Sequence, residues 1–127
     1  MEFFCERDCA CAPQRLHQVL RIDNLPAWCE PVERVLEAAG EQGRIWTLWG
    51  EFAVRREPLR YGVRFTLPEC PNALQWTVTA ENEKEVPLLR VHATINRATH
   101  DAEFIETLER MARETCRSAA ALLASVP

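Results

Sequence analysis

The segment from residue 44 to 97 alternates apolar and polar residues, and this period of two constrains the fold more than any other feature. The alternating runs read RIWTLWGEFAV, YGVRFTL, ALQWTVTA and LLRVHATI. They are separated by RREPLR, PECPN and ENEKEVP, whose prolines and polar residues are typical of turns. Because successive side chains of a strand point to opposite faces, four such runs predict an antiparallel meander with one dry and one wet face. The dry face is expected to carry Trp46, Phe65, Trp76 and Val91.

A short helix is predicted over residues 31–40, in EPVERVLEAAGEQG. Pro31 suits a first helical turn and Gly40 is placed to end the helix. Its apolar stripe would consist of Val32, Val35, Leu36 and Ala39. The preceding segment, APQRLHQVLRIDNLP, fits either a short helix or an edge strand.

A long amphipathic helix is predicted at the C-terminal end, from residue 99 to 125. Thr99 is available as its N-cap, and Asp101 and Glu103 lie in its first turn. Its apolar stripe is Ile105, Leu108, Met111, Ala112, Ala119 and Leu122. The sequence therefore predicts one α+β domain over residues 1–127, with a four- or five-stranded antiparallel sheet packed by a long C-terminal helix and a shorter N-terminal helix.

Residues 1–12 form a cysteine-rich N-terminal segment that contains the stretch CERDCAC. Cys5, Cys9 and Cys11 could surround one metal ion such as zinc, with Cys29, His17 or Cys116 as a distant fourth ligand. The spacing matches no strong metal motif, so a disulfide or redox pair and the absence of any specific role stay open as alternatives. No apolar periodicity connects residues 1–11 to the core, so we expect their deletion to leave folding nearly intact.

The wet face of the predicted sheet provides the second candidate site. Arg64 and Arg90 could supply bidentate donors to an anionic ligand, His92 could adjust its charge with pH, and Trp49 could add an apolar platform. A solvated sheet face carrying cross-strand Thr and Arg–Glu pairs is the alternative interpretation.

Charge and motif content exclude several classes of function. A net charge of −4 argues against nucleic-acid binding, which normally requires a basic patch. The chain contains no apolar run of about 18 residues, so no membrane span is expected. The N-terminus lacks a secretory leader, which favours a cytoplasmic location with reduced thiols. The sequence also contains no phosphate-binding glycine loop, nucleophile elbow or HExxH motif, so catalysis is not expected.

Two functions remain. The first is a small acidic protein-binding module without catalysis, a chaperone-like or immunity-like adaptor whose acidic surface attracts a basic partner. The alternative is a small metal- or anionic-ligand-binding protein that uses the N-terminal thiols or the polar sheet face. A homodimer stays open as well, because Phe104 and Leu123 add apolar surface to the long helix.

Overall fold

The computed structural model of the chain describes residues 1–82 and 85–126. The elements are strand β1 (Glu2–Asp8), helices α1 (Pro13–Val19) and α2 (Leu25–Trp28), strands β2 (Val32–Ala39), β3 (Gln42–Thr47), β4 (Gly50–Leu59), β5 (Gly62–Thr66), β6 (Gln75–Glu81) and β7 (Leu88–Thr94), and helix α3 (Ala102–Ser125). Within the described residues the strands form one seven-stranded antiparallel sheet in the order β1-β7-β6-β5-β4-β3-β2. The α+β class and the long last helix are confirmed, whereas four or five strands was too few.

All three helices cover the same face of the sheet, which we call the inner face. Helix α3 packs over β1 and β7, α1 over β5 and β6, and α2 over β2. Three buried aromatic rings lie at the centre: Trp28 meets Phe65 edge-on at 5.3 Å between ring centroids, and Phe65 stacks on Trp76 at 5.6 Å. Val91 is also buried, so the inward direction predicted for Phe65, Trp76 and Val91 is confirmed.

Helix α3 begins two residues later than predicted. Its N-cap is Asp101, whose carboxylate accepts a hydrogen bond from the Phe104 amide at 2.8 Å, so Thr99 is not the cap. The buried stripe contains Leu108, Met111, Ala112, Cys116, Ala119 and Leu123. Leu123 replaces the predicted Leu122 because it continues the i, i+4 row from Ala119 on the same face.

The predicted helix over residues 31–40 is wrong: this segment is strand β2, an edge of the sheet. Its register against β3 shifts between Val32 and Arg34 and again between Val35 and Glu37. Each shift reverses the face of the sheet to which the following side chains point. The apolar residues of β2 are therefore three or four positions apart, as they would be in a helix. Gly40, with a φ of 62°, belongs to the β2–β3 turn instead of ending a helix. The short helices are α1 and α2, which resolves the ambiguity of the preceding segment.

The run RIWTLWGEFAV is a hairpin and not one strand. Strand β3 ends at Thr47 and β4 begins at Gly50, whose φ of 117° suits the tight connection. Ile45 and Thr47 therefore point inward, while Trp46, expected on the dry face, points outward and is 39% exposed. In the predicted turn RREPLR, residues 55–59 are the second half of β4, and Arg60 lies in the turn that follows.

Strand β1 joins the cysteine-rich segment to the sheet. Residues 2–8 pair with β7 along their whole length, and Phe3 is only 8% exposed. The expectation that residues 1–11 are independent of the core is therefore not supported. The predicted turn over residues 81–87 includes residues 83 and 84, which lie outside the described residues. No helix in the described part of the chain is long and apolar enough to cross a membrane.

Candidate functional site

The outer face of the sheet, opposite the helices, carries two rows of side chains that cross four strands. The register aligns Phe4 of β1 with His92, Thr77 and Arg64, and it aligns Glu6 with Arg90, Thr79 and Gly62. Between them lies a cavity of about 410 Å³. We call it the outer-sheet groove; it is lined by Phe4, Tyr61, Thr77, Thr79, Ala80, Glu81, Asn82, Arg90 and His92.

A glycine in the second row helps to form this groove. Gly62 lies opposite Thr79 and adds no side chain to the outer face. A Cβ atom at this position would come within 1.9 Å of the Val78 carbonyl oxygen, so the approach of β5 to β6 requires glycine. The row therefore has a gap beside the groove, next to the turn that carries Tyr61.

Two exposed aromatic side chains form opposite walls of the groove. Phe4 lies on β1 and Tyr61 lies beyond β6, with 57% and 46% of their surfaces exposed. Phe4 stacks on His92 with ring centroids 4.2 Å apart and planes 3° from parallel. The Arg60 guanidinium lies 5.3 Å from the centre of the Tyr61 ring. The two walls thus present aromatic faces above a floor of threonine hydroxyls.

Carboxylates contact the two basic side chains that line the described part of the groove. Arg90 donates from Nη2 to Glu6 Oε2 at 3.2 Å and from Nη1 to Glu81 Oε1. The His92 Nε2 atom lies 3.1 Å from Glu2 Oε1. Two carboxylates therefore pair with Arg90 and one contacts His92, while the Arg60 guanidinium adds a further positive group at the Tyr61 wall.

The structure assembles the predicted ligand site only in part. Arg90 and His92 both line the groove. Arg64 lies on the same face, where it pairs with Glu57 at 3.3 Å, but it does not line the groove. Trp49 does not belong to this face: it lies in the β3–β4 turn and packs against Phe104 of α3, with ring centroids 5.9 Å apart. The alternation over RIWTLWGEFAV predicts one continuous strand with Trp49 on the wet face, whereas the turn at residues 48 and 49 interrupts it.

The sequence reasoning missed the aromatic walls and the acidic partners of Arg90. Phe4 could have been found, because the run EFFCERD can be interpreted as a strand with Phe3 inward and Phe4 outward. The role of Glu6 could not have been found, because Glu6 lies 84 residues from Arg90 along the chain. The two residues become neighbours only through the β1–β7 pairing. The two residues that suggested dimerisation are also accounted for within one chain, because Phe104 packs on Trp49 and Leu123 is buried.

The predicted metal ligands lie in three separate places. Cys9 and Cys11 face each other, with their Sγ atoms 3.7 Å apart. Cys5 lies beside Cys116 of α3, whose Sγ donates to the Cys5 carbonyl oxygen at 3.5 Å. Cys29 is buried beside Thr115. Across residues 1–82 and 85–126, no three His, Cys, Asp or Glu side chains come together to hold a metal ion, so the four-cysteine site is not assembled.

Burial raises the pKa of three of the cysteine thiols, Cys11, Cys29 and Cys116. Burial, followed by the charge of Cys9, raises the pKa of the Cys11 thiol to about 12. Burial and then the neighbouring Cys5 thiol raise the pKa of Cys116 to about 12. Burial also raises the pKa of Cys29 strongly. All six cysteines are free of disulfides.

Several solved structures share the architecture. Protein XoxI from Bacillus cereus is 13% identical with a TM-score of 0.68, and the match covers 98% of this chain and 96% of that one. A START superfamily protein from Mycobacterium smegmatis is 13% identical with a TM-score of 0.56, covering 97% and 92%. The chain shares its fold with these structures.

A third similar structure comes from a biosynthetic pathway. The di-domain ARO/CYC protein StfQ from the steffimycin biosynthetic pathway is 17% identical with a TM-score of 0.61, and the match covers 97% of this chain and 50% of that one. No protein-family model matches the chain, and no curated protein matches it. At these identities the comparisons show the fold alone, so the function is argued from the groove.

Proposed function

We propose that this protein is a non-catalytic binding module, an adaptor of the chaperone-like or immunity-like kind, whose outer-sheet groove holds a basic segment of a protein partner. One observation carries the proposal: the groove has aromatic walls, and Arg90, the one guanidinium among the described residues that line it, is already paired with Glu6 and Glu81. An incoming anion would have to compete with both carboxylates, whereas an incoming cation adds to a site where acidic groups are in excess.

The size and chemistry of the groove suit a short peptide segment. A cavity of about 410 Å³ is within the range of ligand pockets, roughly 300–1,000 Å³, and has room for one or two side chains. Arg and Lys side chains are attracted to the faces of aromatic rings such as Phe4 and Tyr61. The hydroxyls of Thr77 and Thr79 can donate to and accept from a peptide backbone. A basic side chain flanked by apolar residues therefore matches each part of the lining.

The charge of the whole chain supports the same kind of partner. A net charge of −4 attracts a basic protein over several ångströms and raises its association rate. We also propose a reducing compartment such as the cytoplasm, because six cysteines are present and none is paired in a disulfide.

A peptide titration followed by amide NMR spectra tests the proposal. Three pentapeptides would be compared, each with a central residue between two leucines: arginine, glutamine or glutamate. We expect the arginine peptide to shift the amide signals of Thr77, Thr79, Arg90 and His92 at the lowest concentration. Shifts at these residues with the glutamate peptide alone would instead support the anionic-ligand alternative.

A pair of matched variants identifies the surface. Phe4→Ala removes one groove wall, while Trp46→Ala removes an exposed aromatic side chain on β3, five strands away from β1 in the sheet. We expect Phe4→Ala to weaken binding of the arginine peptide at least several-fold and Trp46→Ala to leave it unchanged. Equal effects of the two variants would contradict the assignment of the groove.

A further inference from the structure

The pair formed by Cys9 and Cys11 stands apart from the outer-sheet groove and has no role in the proposed function. The pair follows β1, at the end of the sheet where Asp8 lies opposite Leu88 of β7. Both residues are anchored through their backbones. The Cys9 amide donates to the Pro87 carbonyl at 3.1 Å, and the Asn82 side chain donates to the Cys11 carbonyl at 3.3 Å. The two thiols are therefore held in position by the sheet.

The distance between the sulfurs is the informative quantity. At 3.7 Å they are too far apart for a disulfide, which requires about 2.05 Å. With two Zn–S bonds of about 2.3 Å, sulfurs 3.7 Å apart subtend an angle of about 107° at the metal, close to the tetrahedral value of about 109°.

We infer that Cys9 and Cys11 chelate a tetrahedral thiophilic cation of the Zn²⁺ type, with two protein thiolates and two open positions. The sulfurs border a hollow of about 600 Å³ between residues 8–12 and the end of α3. Both cysteines are only partly buried, so an ion and its solvent ligands can reach them. This site differs from the predicted one, because Cys5 and Cys29 lie elsewhere.

Binding has a defined proton balance. Each thiol loses its proton when its sulfur coordinates the metal, so one Zn²⁺ is taken up for two protons released to solvent. The two thiolates repel each other when no cation is present, and a divalent ion between them removes that repulsion. Affinity is therefore expected to rise with pH.

The first experiment uses the reduced full-length chain without oxygen. Zn²⁺ is titrated against a chromophoric chelator, and Co²⁺ is used as a spectroscopic substitute whose visible bands report tetrahedral geometry and sulfur ligation. We expect one ion per chain. Cys9→Ser and Cys11→Ser should each weaken binding more than tenfold. Cys70→Ser is the matched control, because Cys70 lies in the β5–β6 connection, at the opposite end of the strands, and should bind as the unmodified chain does.

A second measurement on the unmodified chain avoids any effect of substitution on folding. Zn²⁺ should protect Cys9 and Cys11 from alkylation, as read by peptide mass spectrometry, and leave Cys70 reactive. The inference is overturned if the chain does not compete with the chelator, if Cys9→Ser binds as tightly as Cys70→Ser, or if only Cu⁺ is bound. None of these outcomes concerns the outer-sheet groove, so the two proposals succeed or fail separately.

Discussion

Arg56 offers the sharpest test of how this fold is held together. It lies on β4 and points inward, and only 8% of its surface is exposed. Its Nε donates to the Leu20 carbonyl at 2.8 Å and its Nη2 to the His17 carbonyl at 2.6 Å. Its Nη1 donates to both carboxylate oxygens of Glu41, at 3.0 and 3.1 Å. The guanidinium thus satisfies two carbonyls at the C-terminal end of α1, which no further helical turn can reach.

The expected cost of removing this group follows from its partners. Arg56→Met retains an apolar side chain of moderate length but leaves the His17 and Leu20 carbonyls without a donor. Each unsatisfied buried carbonyl costs about 1–3 kcal/mol. The pair with Glu41 adds less than about 1 kcal/mol, because half of the Glu41 side chain is exposed. We therefore expect Arg56→Met to lower the free energy of unfolding by about 2–7 kcal/mol.

Urea denaturation followed by tryptophan fluorescence measures this loss. The control is Arg55→Met, which changes the exposed neighbour on the same strand and should alter stability by less than about 0.5 kcal/mol. Arg56→Lys keeps the charge but cannot reach all three partners, so it should fall between the two. If Arg56→Met is no more destabilising than Arg55→Met, the guanidinium does not support α1 as argued.

Three further predictions concern the strand edge, the buried thiols and acid stability. Phe3→Ala should destabilise the protein by about 3 kcal/mol, near the lower limit for Phe→Ala in a core, and an unchanged melting temperature would show that β1 is not part of the cooperative fold. Cys29 and Cys116 should react with iodoacetamide only after unfolding, and labelling of the native protein as fast as at Cys70 would contradict their burial. The Ala53 amide, and then Arg44, lower the pKa of Glu69 below 4.5, so its contribution is present above that pH and is lost as pH falls through the lowered value. Glu69→Gln should therefore lower the melting temperature slightly at pH 7 and not at all in strong acid.

The sequence predicted the elements whose apolar pattern follows one period without interruption. Strands β5, β6 and β7 alternate strictly, and Phe65, Trp76 and Val91 point inward as expected. The stripe of α3 follows the helical period from Leu108 to Ala119. In these elements the apolar side chains indicated by the sequence period are the ones that pack against the neighbouring helices or sheet.

The errors come from positions where the backbone changes phase. Two register shifts in β2 bring Val32, Val35 and Leu36 into helical spacing. The β3–β4 turn interrupts an alternation that looks continuous in the sequence. As a result Trp46 points to the outer face of the sheet instead of the inner face, and Trp49 lies in the turn instead of on the outer face. Strand β1 has too few inward residues to show a period, because it is an edge strand whose outer side chains are largely exposed.

The site was predicted in part for the same reason. Arg90 and His92 lie on a regular strand, so their outward direction followed from the alternation. The acidic partners of Arg90 and His92 could not be predicted in this way. Glu2 and Glu6 lie on β1 and contact these two residues only because β1 pairs with β7. The inference from two arginines to an anion site therefore lacked the carboxylates that neutralise Arg90.

We expect the acidic neighbours of Arg90 to determine what the groove binds. The direct measurement is the ratio of affinities for the arginine and glutamate pentapeptides, in the unmodified protein and in Glu81→Gln. We expect the unmodified protein to prefer the arginine peptide, and the variant to lose most of that preference because Arg90 then keeps only Glu6 as a partner. A preference for the glutamate peptide in the unmodified protein, or the same ratio in both proteins, would contradict the account.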